Sequence, residues 1–375
     1  MRSERLSRIC AGPRLVEVAV VLALLVVAQP ARSAAPARPN IILIIGDDHA
    51  WPDAGFMGHP VAQTPNLDEL ARGATLFTNA HNTASTCVPS HRSLLAGIHS
   101  VRWAGKQAAV EALLGPLARR AEVEHYRTLP RELARAGYRS WEGGKLWEGS
   151  FEIAGFTAGL ATAVGPPLRP VGVDFGRRDW DAGACAPTGD PTRPCPALEP
   201  LREFLDDGGE EPFFLWFAPA LPHAPLDPPQ EFLDLYADVE LNRIERRYLA
   251  NVSRLDALVG DLVQELDARG LRENTLLIYI SDNGWTIGNF FGVGVAKGKG
   301  TLYELGFRTP IIFHWPGRVP EGVVRDDLVS SLDLFPTILE YAGLESPPDR
   351  RGRSLRGPSR PVLPSSGAKW SASTA

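Results

Sequence analysis

The chain has 375 residues, 44% hydrophobic and 22% charged, a composition that excludes disorder throughout and fits one large globular domain or two smaller ones. A formal net charge of -5 and an isoelectric point near 6.0 provide no basic field for wrapping nucleic acid, and no zinc-finger or RNA-binding motif is present. Nucleic acid is therefore excluded as a partner.

Residues 1–35 are laid out as a signal peptide. Arg2, Arg5, Arg8 and Arg14 precede the apolar run Val18 to Ala28, and Pro30 and the small-residue segment Ala31 to Ala35 follow. The run is shorter than the roughly 20 residues of a spanning helix and has Glu17 at its edge, so contact with a membrane is expected only through this export signal. Cleavage near residues 33–35 would leave an exported protein, periplasmic or secreted. Export permits disulfides, and Cys185 and Cys195 in the loop CAPTGDPTRPC are expected to pair. Cys10 falls in the removed segment, which leaves Cys87 without a partner.

Asn40 to Ile45 (NIILII) reads as a strand buried on both faces, and Gly46-Asp47-Asp48-His49 follows it directly. A helix opens at Thr64-Pro65 and closes at Gly73. The stretch TCVPSHRSLLAG, residues 86–97, predicts a turn into a helix from Pro89 to Ala96. Another helix is expected over Leu129 to Gly137, then a weaker strand over Tyr138 to Trp141 that runs into Gly143-Gly144-Lys145. Pro212 to Ala218 (PFFLWFA) is a buried strand leading to Leu221-Pro222-His223. Tyr248 to Gly270 is a long amphipathic helix whose Leu249, Val252, Leu255, Val259, Leu262 and Leu266 face the core. Thr275 to Ile280 (TLLIYI) leads to Ser281-Asp282-Asn283-Gly284. From Pro347 to Ala375 the pattern is irregular.

Strands alternating with helices predict an α/β fold: a central, mostly parallel sheet flanked by helices on both faces, with ligands beyond the carboxyl ends of the strands. Asp47, Asp48, Lys145, His223, Asp282 and Asn283 would then share one edge. Three carboxylates and the Asn283 amide make an all-oxygen set suited to a hard cation, calcium or magnesium. Each of them taken alone reads better as a cap or turn residue, and two acidic pairs after two buried strands argue against coincidence. Cys87 is a candidate nucleophile, because the start of a helix favours negative charge. A bare thiolate is an unusual partner for a hard cation, so either Cys87 is a buried structural cysteine or its side chain is not a thiol in the mature protein.

Taken in order, IILIIGDDH, TPNLDELARGATLFTNAH, CVPSHRSLLAG, GGKLWEG, LPHAPLDPP, YISDNGW, KGTLYELGFRTPIIFHWPG and LVSSLDLFPTILEYAGL resemble the sulfatases of the alkaline phosphatase-like superfamily. The resemblance runs from Asn40 to about Leu344 and implies a catalytic domain over residues 38–346. It implies that a maturation enzyme converts Cys87 to formylglycine, whose hydrated aldehyde carries two hydroxyls. One attacks sulfur; the other later loses its proton, so that the carbon–oxygen bond breaks and sulfate leaves. By the same resemblance Asp47, Asp48, residue 87, Asp282 and Asn283 hold the cation. Lys145, His223 and Lys299 contact the sulfate group or the leaving oxygen, and the substrate is a sulfated small molecule or glycan.

The chain departs from that family in three places. His91 stands where sulfatases carry the arginine of Cys-x-Pro-Ser-Arg, and Arg92, one position later, is rotated by about 100 degrees around a helix. A protonated His91 would supply part of that charge in a pH-dependent way. Glu148 stands where the lysine segment commonly offers a histidine, and it is expected to contact substrate or to support residues that do, as is Arg92. The usual small C-terminal antiparallel subdomain is expected to be missing or truncated, with the irregular segment 347–375 in its place. Three further readings stay open: a phosphate or phosphonate monoester hydrolase of the same superfamily, a sulfated-glycan-binding protein with Cys87 unmodified, and a poorly folding copy. Trp51, Trp147, Trp180 and Trp285 are candidates for stacking on a sugar or aryl ring, and equally for core positions. Asn251-Val252-Ser253 matches a glycosylation acceptor pattern but lies within the long helix.

Overall fold

The computed structural model describes residues 38–103, 105, 123, 126–148, 150–160, 196–286 and 297–357. The export signal, Cys185, Cys195 and Trp180 lie outside the described residues. The strands are β1 (Asn40–Gly46), β2 (Thr75–His81), β3 (Arg139–Gly144), β4 (Ala158–Gly159), β5 (Phe213–Ala218), β6 (Thr275–Ser281), β7 (Arg308–His314), β8 (Val323–Arg325) and β9 (Val329–Ser330). They form one sheet in the order β4-β3-β5-β1-β6-β7-β2-β8, with β9 also on β2. Only β7 among the described strands runs against the others, pairing antiparallel with both β6 and β2.

Side chains alternate across the sheet because successive strand residues point to opposite faces. In β1, Ile42 and Ile44 enter one core and Ile41, Leu43 and Ile45 the other. Apolar side chains on both faces require covering layers, and these come from α1 (Pro65–Arg72), α2 (Cys87–Ala96), α3 (Leu129–Ala134), α4 (Glu199–Asp206), α5 (Arg243–Ala268) and α6 (Leu334–Tyr341). The first core is closed by α1, α4 and α5, the second by α2, α3 and α6. All six apolar residues of the predicted stripe on α5 are buried.

Some boundaries differ from the sequence expectation. Helix α5 begins at Arg243, ahead of Tyr248, because the Asn242 side chain accepts from the amides of Ile244 and Glu245 while the Glu245 carboxylate accepts from the Asn242 amide. Helix α2 starts at Cys87 rather than Pro89. Helix α3 stops at Ala134, and Gly137 with φ 82° ends the turn that follows. Strand β7, absent from the sequence expectation, carries Pro310 inside its run, a residue that argues against a ladder strand. The structure accommodates it at a register shift between Phe77 and Ala80 of β2, where Ile311 and Thr309 pair and Pro310 does not. Residues 347–357 form neither helix nor strand. Among the described residues no helix is long and apolar enough to cross a membrane.

Candidate active site

The loops after β1, β3, β5 and β6 meet at the carboxyl edge of the sheet, because these four strands lie side by side and run the same way. The Asp47 amide donates to Leu221 O at 2.8 Å, joining the loop after β1 to the loop that carries His223. The Lys145 amide donates to Ala218 O at 2.8 Å. That close approach requires Gly144: its φ is +116°, and a Cβ there would lie 2.0 Å from Ala218 O. The Asp282 amide donates to Gly46 O at 2.9 Å. Four loops distant in sequence are thereby fixed against one another by backbone hydrogen bonds.

Asp48 sits at the centre of this arrangement. Its φ of 64° makes it the only non-glycine residue with positive φ among the described residues, a conformation aspartate tolerates better than most side chains. Its carbonyl accepts from Tyr248 Oη at 3.0 Å, and the same hydroxyl accepts from the Ala50 amide at 3.0 Å. Its amide donates to Asp282 Oδ1 at 3.1 Å. Its Oδ1 accepts from Asn283 Nδ2 and Lys299 Nζ, each at 2.6 Å. Lys145 Nζ donates to Asp47 Oδ2 at 2.5 Å. His49 supports the loop from below, with Nδ1 against Tyr279 Oη and Nε2 2.9 Å from Asp53 O. Tyr248, His49 and Tyr279 were not singled out in the sequence; Tyr248 and Tyr279 lie in a predicted helix and strand, where a buried tyrosine looks like any core aromatic.

His223 Nδ1 lies 2.5 Å from Ala224 O. A carbonyl only accepts, so Nδ1 carries the proton and Nε2 is the nitrogen turned to Asp48, 3.6 Å from its Oδ2. His91 is buried in α2, edge-on to Trp216, with Nε2 3.2 Å from Asp282 Oδ2 but not aligned for a hydrogen bond. It therefore faces the carboxylate of Asp282. Arg92 turns away from this cluster, as its helical offset requires, and its Nε donates to Glu148 Oε1 at 2.8 Å.

The charges shift one another. Burial alone would raise the Asp47 carboxyl, but Lys145, His223 and Lys299 together hold it well below the usual carboxylate range. Burial disfavours the ammonium forms of Lys145 and Lys299, yet the surrounding carboxylates, Asp47 and Asp48 foremost, hold both lysines charged. Burial and the neighbouring Asp47 raise Asp282, opposed by His91 and Lys145. The Cys87 thiol is pushed up to about 11, mainly by burial, so as a thiol it keeps its proton at neutral pH.

Asp47 Oδ1, Asp282 Oδ2 and Asn283 Oδ1 are buried and accept no hydrogen bond from the described residues. Asp47 adjoins Asp48 in the chain, and the other two residues touch it. Buried acceptors without donors are costly, and a set of them around one residue is what an oxygen-seeking cation satisfies. Asp47, Asp48 and His223 also bring three ligand atoms within 4.8 Å of one another, so His223 could ligate as well. The residues present therefore fit a divalent cation.

The tryptophans divide. Trp147 lies beside Lys145, whose Nζ is 5.6 Å from the ring centroid. Trp285 stacks on Tyr248 at 3.9 Å, and Trp51 on the Arg308 guanidinium at 4.1 Å. Asn251 is buried with its amide nitrogen toward Pro222 O and Pro225 O, so it is closed to glycosylation in the folded protein.

The family model described as Sulfatase matches residues 39–344. N-acetylgalactosamine-6-sulfatase of Canis lupus familiaris is 31% identical over 348 residues, which cover 84% of this chain and 64% of that protein. Arylsulfatase A of Homo sapiens is 31% identical over 367 residues, 86% of this chain and 68% of the relative. The chain thus spans just under two thirds of the canine protein's length. The phosphonate monoester hydrolase of Agrobacterium radiobacter superposes with a TM-score of 0.63 at 17% identity, covering 85% of this chain and 76% of that one, a likeness of fold alone. With its α/β sheet and these matches over most of its length, the chain belongs to the sulfatase family of the alkaline phosphatase-like superfamily.

Proposed function

We propose that the protein hydrolyses a sulfate monoester of a sugar or an aryl alcohol, with residue 87 as nucleophile after its thiol has become formylglycine. The observation that carries this reading is the position of Cys87 as the first residue of α2, with Lys145, Lys299, Asp47 and Asp282 acting electrostatically on its side chain. A thiol that keeps its proton at neutral pH is a poor nucleophile there. A hydrated aldehyde suits an oxygen-lined site better.

Asp47, Asp48, Asp282 and Asn283, with residue 87, would hold calcium or magnesium. Such a cation, when bound, makes a hydroxyl of residue 87 easier to deprotonate and draws charge from the sulfuryl oxygens. Lys145 and Lys299, fixed by Asp47 and Asp48, would orient the sulfuryl group and stabilise its charge. In the first step a hydroxyl of residue 87, its proton released to water, attacks sulfur, the sulfur–oxygen bond to the alcohol breaks, and the alcohol leaves with a proton that protonated His223 Nε2 is placed to give. In the second step the remaining hydroxyl gives its proton to the now neutral His223 Nε2, the carbon–oxygen bond breaks, sulfate departs, and water adds to the aldehyde to restore the hydrate. With a divalent cation, three carboxylates and two ammonium groups the site has a formal charge of about +1, a closer match to a singly charged sulfate ester than to a phosphate dianion. The names of the canine and human relatives, an amino-sugar sulfatase and an arylsulfatase, favour the same substrate class. Export through residues 1–35 and conversion by a maturation enzyme belong to this reading.

The test is mass spectrometry of the peptide spanning Cys87, from protein co-expressed with a maturation enzyme, together with paired assays on an aryl sulfate and the corresponding phosphate. An aldehyde at 87, sulfate release, and loss of release in Cys87→Ala with an unchanged melting curve are the expected results. Turnover persisting in Cys87→Ala would remove formylglycine chemistry, and preference for the phosphate would select a phosphomonoester hydrolase.

A further inference from the structure

The structure joins Arg92, on the helix that begins at Cys87, to Glu148, in the segment that carries Lys145. Arg92 Nε donates to Glu148 Oε1 at 2.8 Å across 56 residues of sequence, with the two side chains 11% and 1% exposed. The second carboxylate oxygen accepts from the Trp147 amide at 3.0 Å. The Arg92 guanidinium also lies over the Trp103 ring, 5.5 Å from its centroid, so the arginine is held from a second side. Both oxygens of Glu148 are thus engaged by donors of the protein, which removes its charge from any role facing an anionic substrate.

We propose that this pair is a positioning device for Lys145; the inference rests on the sulfatase reading given above. The Lys145 backbone is already fixed to β5 and its neighbourhood, through its amide to Ala218 O at 2.8 Å and its carbonyl accepting from Trp216 Nε1 at 3.4 Å. Neither bond restrains the four-carbon side chain, whose freedom is large in lysine. Its ammonium is limited on one side by Asp47 and on another by the Trp147 ring. Trp147 in turn is held through its amide by Glu148, and Glu148 is held by an arginine on the helix that begins at residue 87. Arg92 therefore ties the lysine that meets the sulfuryl group to the element that carries the nucleophile. Displacing such a group by about 1 Å is enough to lower turnover roughly 100-fold.

The test separates directional positioning from simple packing. Replacing Arg92 alone takes the ion pair from the buried Glu148 carboxylate and destabilises the fold, whereas replacing both members of a buried pair by apolar residues of similar volume is often neutral. The variant to make is the double substitution Arg92→Met with Glu148→Met, compared with the parent by thermal melting, by kcat and KM on an aryl sulfate, and by calorimetric binding of inorganic sulfate. A melting temperature close to the parent's, kcat lower by roughly 10- to 100-fold and KM changed less than about threefold are expected, since a positioning loss falls on the transition state. Parental kcat in the folded double variant overturns the proposal. If that variant does not fold, Arg92→Lys, which keeps the charge and loses the Nε geometry, decides instead: lowered kcat at near-parental stability supports the proposal, and unchanged kcat overturns it. A parent that neither releases nor binds sulfate overturns the sulfatase reading itself and this inference with it, an outcome distinct from an active parent matched by its variant.

Discussion

Asp48 concentrates several demands in one residue. A left-handed backbone conformation, an amide given to Asp282, a carbonyl bound by Tyr248 and a carboxylate shared by Asn283 and Lys299 hold one another in place. The Tyr248 hydroxyl is an uncharged part of this arrangement that a single substitution removes. Tyr248→Phe leaves the Asp48 carbonyl and the Ala50 amide buried without partners and is expected to lower stability by about 1–3 kcal/mol, read from urea unfolding midpoints. Asp261, on α5, makes a different point. Burial pushes its carboxyl up to about 7 from the ordinary 3.8, with Glu265 adding to the rise and Arg202 opposing it, and its Oδ2 has no donor among the described residues. The folded state then binds more protons than the unfolded state between these two values. Its contribution to stability is therefore present below the lower value and is lost as pH rises through about 7. Melting temperatures of Asp261→Asn and the parent are expected to diverge as pH is raised from about 4 to 8, the variant becoming the more stable. Curves that stay parallel would contradict the shift.

At the level of elements, α5 illustrates how a few polar atoms set a boundary that periodicity cannot. Its apolar stripe runs from Leu249 to Leu266, but the helix begins at Arg243, where the reciprocal bonds of Asn242 and Glu245 satisfy amides that would otherwise lack partners. Asn242→Ala is expected to destabilise the protein by about 1 kcal/mol in chemical denaturation, with little change in denaturant slope. Strand β2 was hidden for another reason: its central Thr78 and Asn79 are only half-buried and lie at the register shift, so the run lacks the continuous apolar signature of β1, β5 and β6. Helix α2 starting at Cys87 brings residue 87 into the first turn, where unpaired amides lie.

For the molecule as a whole, the loops after β1 and β6 gather Asp47, Asp48 and Asp282, and Lys145 and Lys299 offset only part of that charge. Folding therefore brings like charges together, and a bound cation would relieve this repulsion in the folded state alone. Chelation is expected to lower the melting temperature and abolish turnover. Added calcium is expected to restore both in a concentration-dependent way, by about 2.7 kcal/mol at a hundred times the dissociation constant. A melting temperature indifferent to chelator and to added cation would argue against a site of useful affinity.

The α/β class, the core-facing stripe of α5 and the placement of Asp47, Asp48, Lys145, His223, Asp282 and Asn283 beyond strand ends could all be read from the chain. Each rests on a local pattern: a buried run, a helical spacing, a polar residue directly after a strand. The family was legible too, through the order of short segments along most of the sequence. Tertiary structure alone decided which side chains meet. That His91 faces Asp282, that Tyr248 bridges Asp48 and Ala50, and that Arg92 binds Glu148 follow from packing of helices against a sheet, between residues 56 to 200 positions apart for the two hydrogen-bonded pairs. Local sequence carries the rotation of a side chain about its own helix, but not the identity of the distant element that rotation will meet.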